Sequence, residues 1–385
     1  MVDLIIGSTI ACLSMYIAST YQPKEVRKIN NVFKNVNYRV GKLVPRRIKT
    51  RRKDGYTEYV YEVPPGLVDD PKLSEILTKT LRKPVEIKFR GVLIIRVYNT
   101  ALTTEIKYDW EPSKDWSLPI GYTLDGVLWH DFDRVPHMTV AGATRQGKTV
   151  LLKLILAHLI NSQPNNAEIY ILDLKGGIEF GKYRNLRQVK EIADSVKSAE
   201  KVLGTIVRRM KNDMKRYSSG GFSNTGESGD RRRVFIITDE AAELADSKRC
   251  LNHLSEICRL GGALGYRNIF CTQYPTADTL PRQVKQNSDA RISFRLPTEV
   301  ASRVAIDEGG AEKLSNPGRA IYRTHERFEI QVPLASDSEI CEKLADQFIE
   351  KGGEDIAEEI EEKDSTTGEN IIDISGFNLR NRSTD

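Results

Sequence analysis

The apolar residues of this chain gather into two kinds of run. Short, unbroken runs rich in β-branched residues lie at 138-MTVA-141, 168-EIYILD-173, 234-VFIITDE-240, 268-NIFCT-272 and 291-RISFRL-296. Runs of this length and texture fit strands buried on both faces of a sheet. Helical stretches separate most of them, and 150-VLLKLILAHLI-160 is apolar enough for a mostly buried helix. Strands alternating with helices predict a mostly parallel, three-layer α/β sheet over about 123–335. The segment ahead of it differs. There 56-YTEYVYEV-63 alternates like a half-exposed strand, and 72-KLSEILTKTLRK-83 has amphipathic helical spacing. The runs 85-VEIKF-89 and 92-VLIIRVYN-99 read as paired strands turning at Arg90 and Gly91. Together these predict a small, basic-edged α+β domain over 23–122, leaving through a proline-bearing linker, 111-EPSKDWSLPIGY-122. From 336 to 385 we expect one helix, 339-EICEKLADQFIEK-351, and a polar end with the composition of a disordered tail.

Charge changes the picture at both ends. The net charge of +5 is modest, yet Lys24 to Lys53 hold twelve Lys or Arg against one Glu, and 350-EKGGEDIAEEIEEKD-364 is dominated by acid. Ahead of the basic run, 4-LIIGSTIACLSMYIA-18 is apolar. A membrane span needs about 20 residues, and Val2 to Tyr21 just reach that, with Asp3 at one interface. We expect a single transmembrane helix over 1–22, its alternative being a buried or peripheral helix, with residue 22 onward in the cytoplasm. A cleaved signal peptide fits worse, because no charged region precedes the apolar run. The basic run itself has three readings: contact with anionic lipid, contact with DNA, or a topology signal. The Gly- and Ser-rich stretch 217-YSSGGFSNTGESGDRRR-233 reads as a mobile loop, either a solvated connection or one that faces DNA or a partner. Five cysteines without C-x-x-C spacing and five histidines without an H-E-x-x-H pattern speak against a disulfide framework and a zinc site. His137 reads as structural.

The candidate chemistry lies at the strand ends. Gly142, Ala143, Thr144, Arg145, Gln146, Gly147, Lys148 and Thr149 match G-x-x-x-x-G-K-[ST], between a predicted strand and a predicted helix. In that context backbone N–H groups and the helix dipole cradle phosphates. Lys148 would then reach the β- and γ-phosphates, and the Thr149 hydroxyl would ligate Mg²⁺. Asp239 ends the strand 234–239, where it would hold Mg²⁺ through water, and Glu240 beside it is a candidate base for an attacking water. Asp173 and Lys175 end another strand. Gln273 ends a third, where an amide can sense a γ-phosphate or the water; a turn hydrogen bond is the plainer reading. The cofactors read from this set are ATP and Mg²⁺, and the site reads as an ATPase.

In order and spacing, 136-PHMTVAGATRQGKT-149, 172-LDLKGG-177, 236-IITDEAAEL-244, 259-RLGGALGYRNIFCTQYP-275 and 291-RISFRL-296 resemble the FtsK/SpoIIIE family of DNA-translocating ATPases. Residues 271–307 look most like the coupling ATPases of Gram-positive integrative and conjugative elements. The resemblance implies a RecA-like motor domain, a hexameric ring around double-stranded DNA (single strands being a further option), an N-terminal membrane segment, and relaxase and secretion-channel partners. It also departs from the family. An arginine offered to the neighbouring subunit often stands where this chain has Gly262, leaving Arg259, our choice, or Arg267 as substitutes. No winged helix is apparent after the motor region. Arg231, Arg232 and Arg233, or Arg282 and Lys285, are candidates to line a ring's hole. The rival readings are a type VII-like protein-secretion ATPase, a viral genome-packaging ATPase, and an adaptor that binds ATP without turnover.

Overall fold

The computed structural model describes residues 23–276 and 279–349. Both the apolar run before residue 22 and the acidic tail lie outside the described residues. So does the C-terminal end of the helix expected over 339–351. Among the described residues, no helix is long and apolar enough to cross a membrane. The chain divides into two units.

The first unit comprises the residues up to 104 and the hairpin tip 122–126. It contains α1 (Lys24–Asn35), β1 (Arg46–Arg52), β2 (Tyr56–Glu62), α2 (Leu73–Leu81), β3 (Val85–Phe89) and β4 (Leu93–Tyr98). The four strands form an antiparallel sheet in the order β1-β2-β4-β3. One face is closed by the helices. Val26, Ile29 and Phe33 of α1 and Leu73, Leu77 and Leu81 of α2 recur at helical spacing and bury against Tyr59, Tyr61, Leu93 and Ile95. Strand β1 is the exception to the apolar pattern: it is an edge strand, exposed at every position but one.

The second unit is built on a ten-stranded sheet. In chain order its elements are β5 (Ser117–Thr123), β6 (Gly126–Asp131), β7 (Met138–Ala141), α3 (Lys148–Ser162), β8 (Ala167–Asp173), β9 (Val189–Ala193), α4 (Val196–Gly220), α5 (Thr225–Ser228), β10 (Arg233–Asp239), α6 (Lys248–Leu260), β11 (Tyr266–Thr272), α7 (Arg282–Gln286), β12 (Ala290–Phe294), α8 (Glu299–Ile306), β13 (Arg319–Arg323), β14 (Arg327–Gln331) and α9 (Asp337–Lys343). The strand order is β6-β5-β14-β13-β12-β7-β11-β10-β8-β9. From β12 to β9 all neighbours are parallel, while β13 and β14 add an antiparallel hairpin. The parallel strands read as unbroken apolar runs because both faces are covered. Phe235 and Ile237 of β10 and Ile269 and Cys271 of β11 enter a core with α3. Val234, Ile236, Tyr266 and Phe270 enter a second core with α4 and α6.

Two sequence expectations need correction. The second half of the predicted linker 111–122 is strand β5: Trp116, Leu118 and Ile120 are buried in the α3 core, and residues 105–121 belong to the second unit. The prolines suggested a linker, but Pro119 sits in β5 without breaking it. Nor is 217–233 an unstructured loop. α4 begins on a Ser195/Ser198 capping box and runs to Gly220, with Gly221 in the left-handed region behind it. Tyr217 is buried, and its hydroxyl donates to Asp230 at 3.2 Å. Asn224 caps α5 by accepting from the Glu227 N–H at 3.0 Å. Polar caps hold this stretch where composition predicted freedom.

Candidate nucleotide site

The glycine-bearing loop leaves β7 and is gripped from behind. Gly142 (φ +156°) has no room for a side chain, since a Cβ would lie 2.6 Å from the Phe294 Cβ. At Gly147 (φ +112°) a Cβ would lie 3.1 Å from the Phe294 ring and 3.3 Å from the Gly318 Cα. The Ala143 N–H donates to the Arg295 carbonyl at 2.9 Å, and the Gly318 N–H donates to the Gln146 carbonyl at 2.9 Å. Arg145 sits in the left-handed region at φ +62°. The loop is therefore clamped between the end of β12 and the turn before β13. Sequence reading missed Phe294, Gly318 and that hairpin; the turn-forming 316-NPG-318 was the one available hint.

Helix α3 opens directly out of this loop. Gly147 is its N-cap, no side chain caps it, and its first turn carries no acid. First-turn N–H groups have no intrahelical acceptor, so this end of the helix suits an anion. The Lys148 ammonium is buried, donating to the carbonyls of Gly142 at 2.6 Å and Ala143 at 3.0 Å. Desolvation lowers its pKa, which means the charge lacks full compensation. Thr149 is half-buried one residue on.

Acids stand at the ends of β10 and β8, on the far side of β11 from the loop, and Asp239 and Glu240 act electrostatically on Lys148. Asp173 of β8 and Asp239 of β10 are register partners on adjacent parallel strands. Asp173 is fully buried; its Oδ2 accepts the Phe180 N–H at 2.9 Å, and its Oδ1 has no partner among the described residues. The Asp239 carboxyl is pushed up to about 6 by desolvation, aided by Asp173 and Glu240 and opposed by Lys175. Glu240 follows in the left-handed region (φ +61°, ψ +65°), which costs a non-glycine residue on the order of 1–3 kcal/mol. Its Oε1 accepts the Gln273 N–H at 3.3 Å, and its Oε2 lies 3.5 Å from the Lys175 ammonium. The Gln273 side-chain oxygen accepts the Thr144 hydroxyl at 3.0 Å. Gln273 thus links the loop to Glu240.

These residues fit a nucleotide with a divalent cation. An uncapped helix start and a desolvated lysine suit phosphates, and a desolvated carboxyl beside an orphaned carboxylate oxygen suits a cation. Among the described residues no group of three or more His, Cys, Asp or Glu could hold a metal ion by itself. A cation here would complete its shell from phosphate and water.

The remaining candidates separate. Arg259 is exposed on the last turn of α6. Arg267 is 2% exposed and donates to Asp133 at 2.8 Å and to the Gly262 carbonyl at 2.7 Å, so it is not available to a neighbouring subunit. Arg232 pairs with Asp213 at 3.0 Å, Arg233 with Asp133 at 2.8 Å, and Lys285 with Asp307 at 2.6 Å. Of the proposed ring-lining cations, Arg231 and Arg282 remain exposed. His137 is buried, its Nδ1 accepting the Asn268 N–H at 3.0 Å, and burial lowers its pKa to about 3.

Comparison with known proteins places this arrangement. DNA translocase FtsK of Lactiplantibacillus plantarum is 25% identical over 306 residues, 72% of this chain and 38% of that protein. The chain therefore spans about two fifths of such a relative's length. The pCW3 conjugation coupling protein TcpA has a similar fold, with a TM-score of 0.61 at 22% identity, over 84% of this chain and 99% of that one. The cytoplasmic domain of the type VII secretion ATPase EccC of Thermomonospora curvata gives a TM-score of 0.55 at 22% identity, over 63% of this chain and 32% of that one. The sequence profile of the FtsK/SpoIIIE family matches residues 107–326, more than half of the chain and the whole of the site, and the chain belongs to that family.

Proposed function

We propose that this chain is an ATP-driven DNA translocase, working as the coupling ATPase that delivers DNA to a conjugative transfer channel. The observation that carries the reading is the placement of the clamped loop 142–149 at the end of β7 and of Asp239 and Glu240 at the end of β10, parallel strands with β11 between them, inside the family-matched region. Likeness to a conjugation coupling protein over 99% of its solved chain supports the finer assignment. Bound ATP would supply the phosphoanhydride bond, and Mg²⁺ would neutralise charge on its phosphates.

The chain's own residues then divide the work. Backbone N–H groups of 144–149 and the Lys148 ammonium bind the phosphates. Thr149 and Asp239 hold the cation, Asp239 through water. Glu240 orients the attacking water and takes its proton, its carboxylate positioned by the Gln273 N–H and by Lys175. Because Gln273 also accepts from Thr144, a shift of the loop moves the group that holds the base. Arg259, exposed on α6, is the arginine offered to the next subunit of a hexameric ring. Residues 1–22 serve as the membrane anchor, and a relaxase and channel proteins are the partners.

A second reading is a protein-secretion ATPase, favoured by the likeness to EccC. One experiment separates them: ATP hydrolysis by the full chain with and without long duplex DNA, beside Lys148→Ala and Glu240→Gln. We expect duplex DNA to raise the rate several-fold, Lys148→Ala to be silent, and Glu240→Gln to bind ATP with turnover lowered roughly 10²–10⁴-fold. A rate indifferent to DNA moves the secretion reading ahead. Normal turnover in Lys148→Ala removes the site assignment.

A further inference from the structure

We propose that the groove between α1 and the edge strand β1 seats acidic phospholipid headgroups at a membrane surface, with Leu43 and Ile48 entering the acyl boundary. The groove has a volume of about 670 Å³, and Arg27, Lys34, Lys42, Leu43, Val44 and Arg47 line it. Its cations are free to take an anion. Arg46 and Arg51 are engaged by Glu62 and Glu58, but Arg27, Lys34, Lys42, Arg47 and Lys49 form no ion pair among the described residues. Arg47 donates only to the neutral Thr50 hydroxyl, at 3.0 Å.

Apolar side chains stand among those cations. Leu43, in the turn closed by the Val40–Leu43 bridge, is 62% exposed. Ile48 is 58% exposed at the irregularity where the β1–β2 register slips between Arg47 and Lys49, so the bulge carries it off the ladder. Duplex DNA would satisfy the cations but offers no apolar layer to these aliphatics, whereas an anionic bilayer offers both. Position in the chain agrees. α1 begins three residues after the candidate span Val2–Tyr21 closes, and Arg27 lies on its first turn. A membrane that holds that stretch brings α1 to its surface.

The test is flotation of the full chain with vesicles of phosphatidylcholine alone or with phosphatidylglycerol, comparing wild type, Lys42→Glu/Arg47→Glu and Leu43→Ser/Ile48→Ser. One surface cation is worth about fivefold in binding. We expect the preference for acidic vesicles to fall by about 25-fold or more in the charge-reversed variant, and binding to acidic vesicles to weaken in the serine variant. Unchanged melting temperatures show that the fold persists. A charge-reversed variant that keeps its acidic-vesicle preference overturns the proposal, as does one that loses duplex-DNA binding instead. Binding to neutral vesicles reports on residues 1–22 separately, so failure of the groove is distinguishable from failure of the anchor reading.

Discussion

The sheet carries charge at the edge where β10 and β11 begin and again at the edge where β10 and β8 end, and the two edges treat it oppositely. Where the strands begin, Arg233 forks onto Asp133 at 2.8 and 2.9 Å, and Arg267 reaches the same carboxylate at 2.8 Å. Although desolvation opposes it, the hydrogen bonds from Arg233 and Arg267 hold the Asp133 carboxyl below the usual carboxylate range. Where the strands end, Asp239 is desolvated beside Asp173 and Glu240, and its carboxyl is pushed up to about 6. One end is completed by the protein. The other is left for a ligand to complete. Similar residue types therefore mark stability at one edge of the sheet and, in the function proposed above, chemistry at the other.

The comparison can be broken by making the same change at both ends. Asp133→Asn should be the costlier, because it leaves two buried guanidiniums without a counter-charge. A loss of about 3 kcal/mol is expected in chemical denaturation, at the lower end for a broken pair since the Asp133 side chain is 38% exposed. A loss below about 1 kcal/mol would mean that water does this carboxylate's work.

Asp239→Asn should have the opposite sign in nucleotide-free protein. A carboxyl with a folded pKa of about 6, against an ordinary 3.8, binds its proton more tightly folded than unfolded. Its contribution is fully present below pH 4 and is lost as pH rises through 6. The amide carries no such loss. The variant should thus be more stable than wild type at pH 7 by roughly 2–3 kcal/mol, the gap closing towards pH 4. Melting curves across this range check it, and a destabilised variant at pH 7 would abolish the contrast.

The smallest effect is expected at Arg259. Replacing this exposed side chain by alanine should change stability by no more than about 1 kcal/mol. Turnover should slow only in the assembled protein, so rates across protein concentration are the measurement. A large stability loss would show that Arg259 has a structural tie.

How much of this was legible beforehand follows from the range of the forces. The five strand runs and the helix after the loop were readable because burial on both faces writes itself into consecutive residues, as at 234-VFIITD-239. The β13–β14 hairpin was not, because Arg319, Arg323 and Arg327 give its strands a polar look while Ala320, Ile321 and Ile330 pack inward. The loop 142–149 was found from local spacing, whereas its support by Phe294 and Gly318 depends on contacts more than 140 residues away. The arginines show the limit most plainly. Nothing in 231-RRR-233 says that Asp133 and Asp213 wait for two of the three, and nothing in 46-RRIKTRR-52 says that, among the described residues, its cations pair only with Glu62 and Glu58.

The left-handed backbone at Glu240 has a consequence for descent. Glycine or asparagine would rest there more easily than glutamate, glycine by about 1 kcal/mol. A lineage released from the need to turn over nucleotide would drift to those residues at this position early, gaining stability as it went. A chain that keeps the loop 142–149 but carries glycine at position 240 should then be read as the relic of a motor, still able to grip its nucleotide and no longer able to spend it.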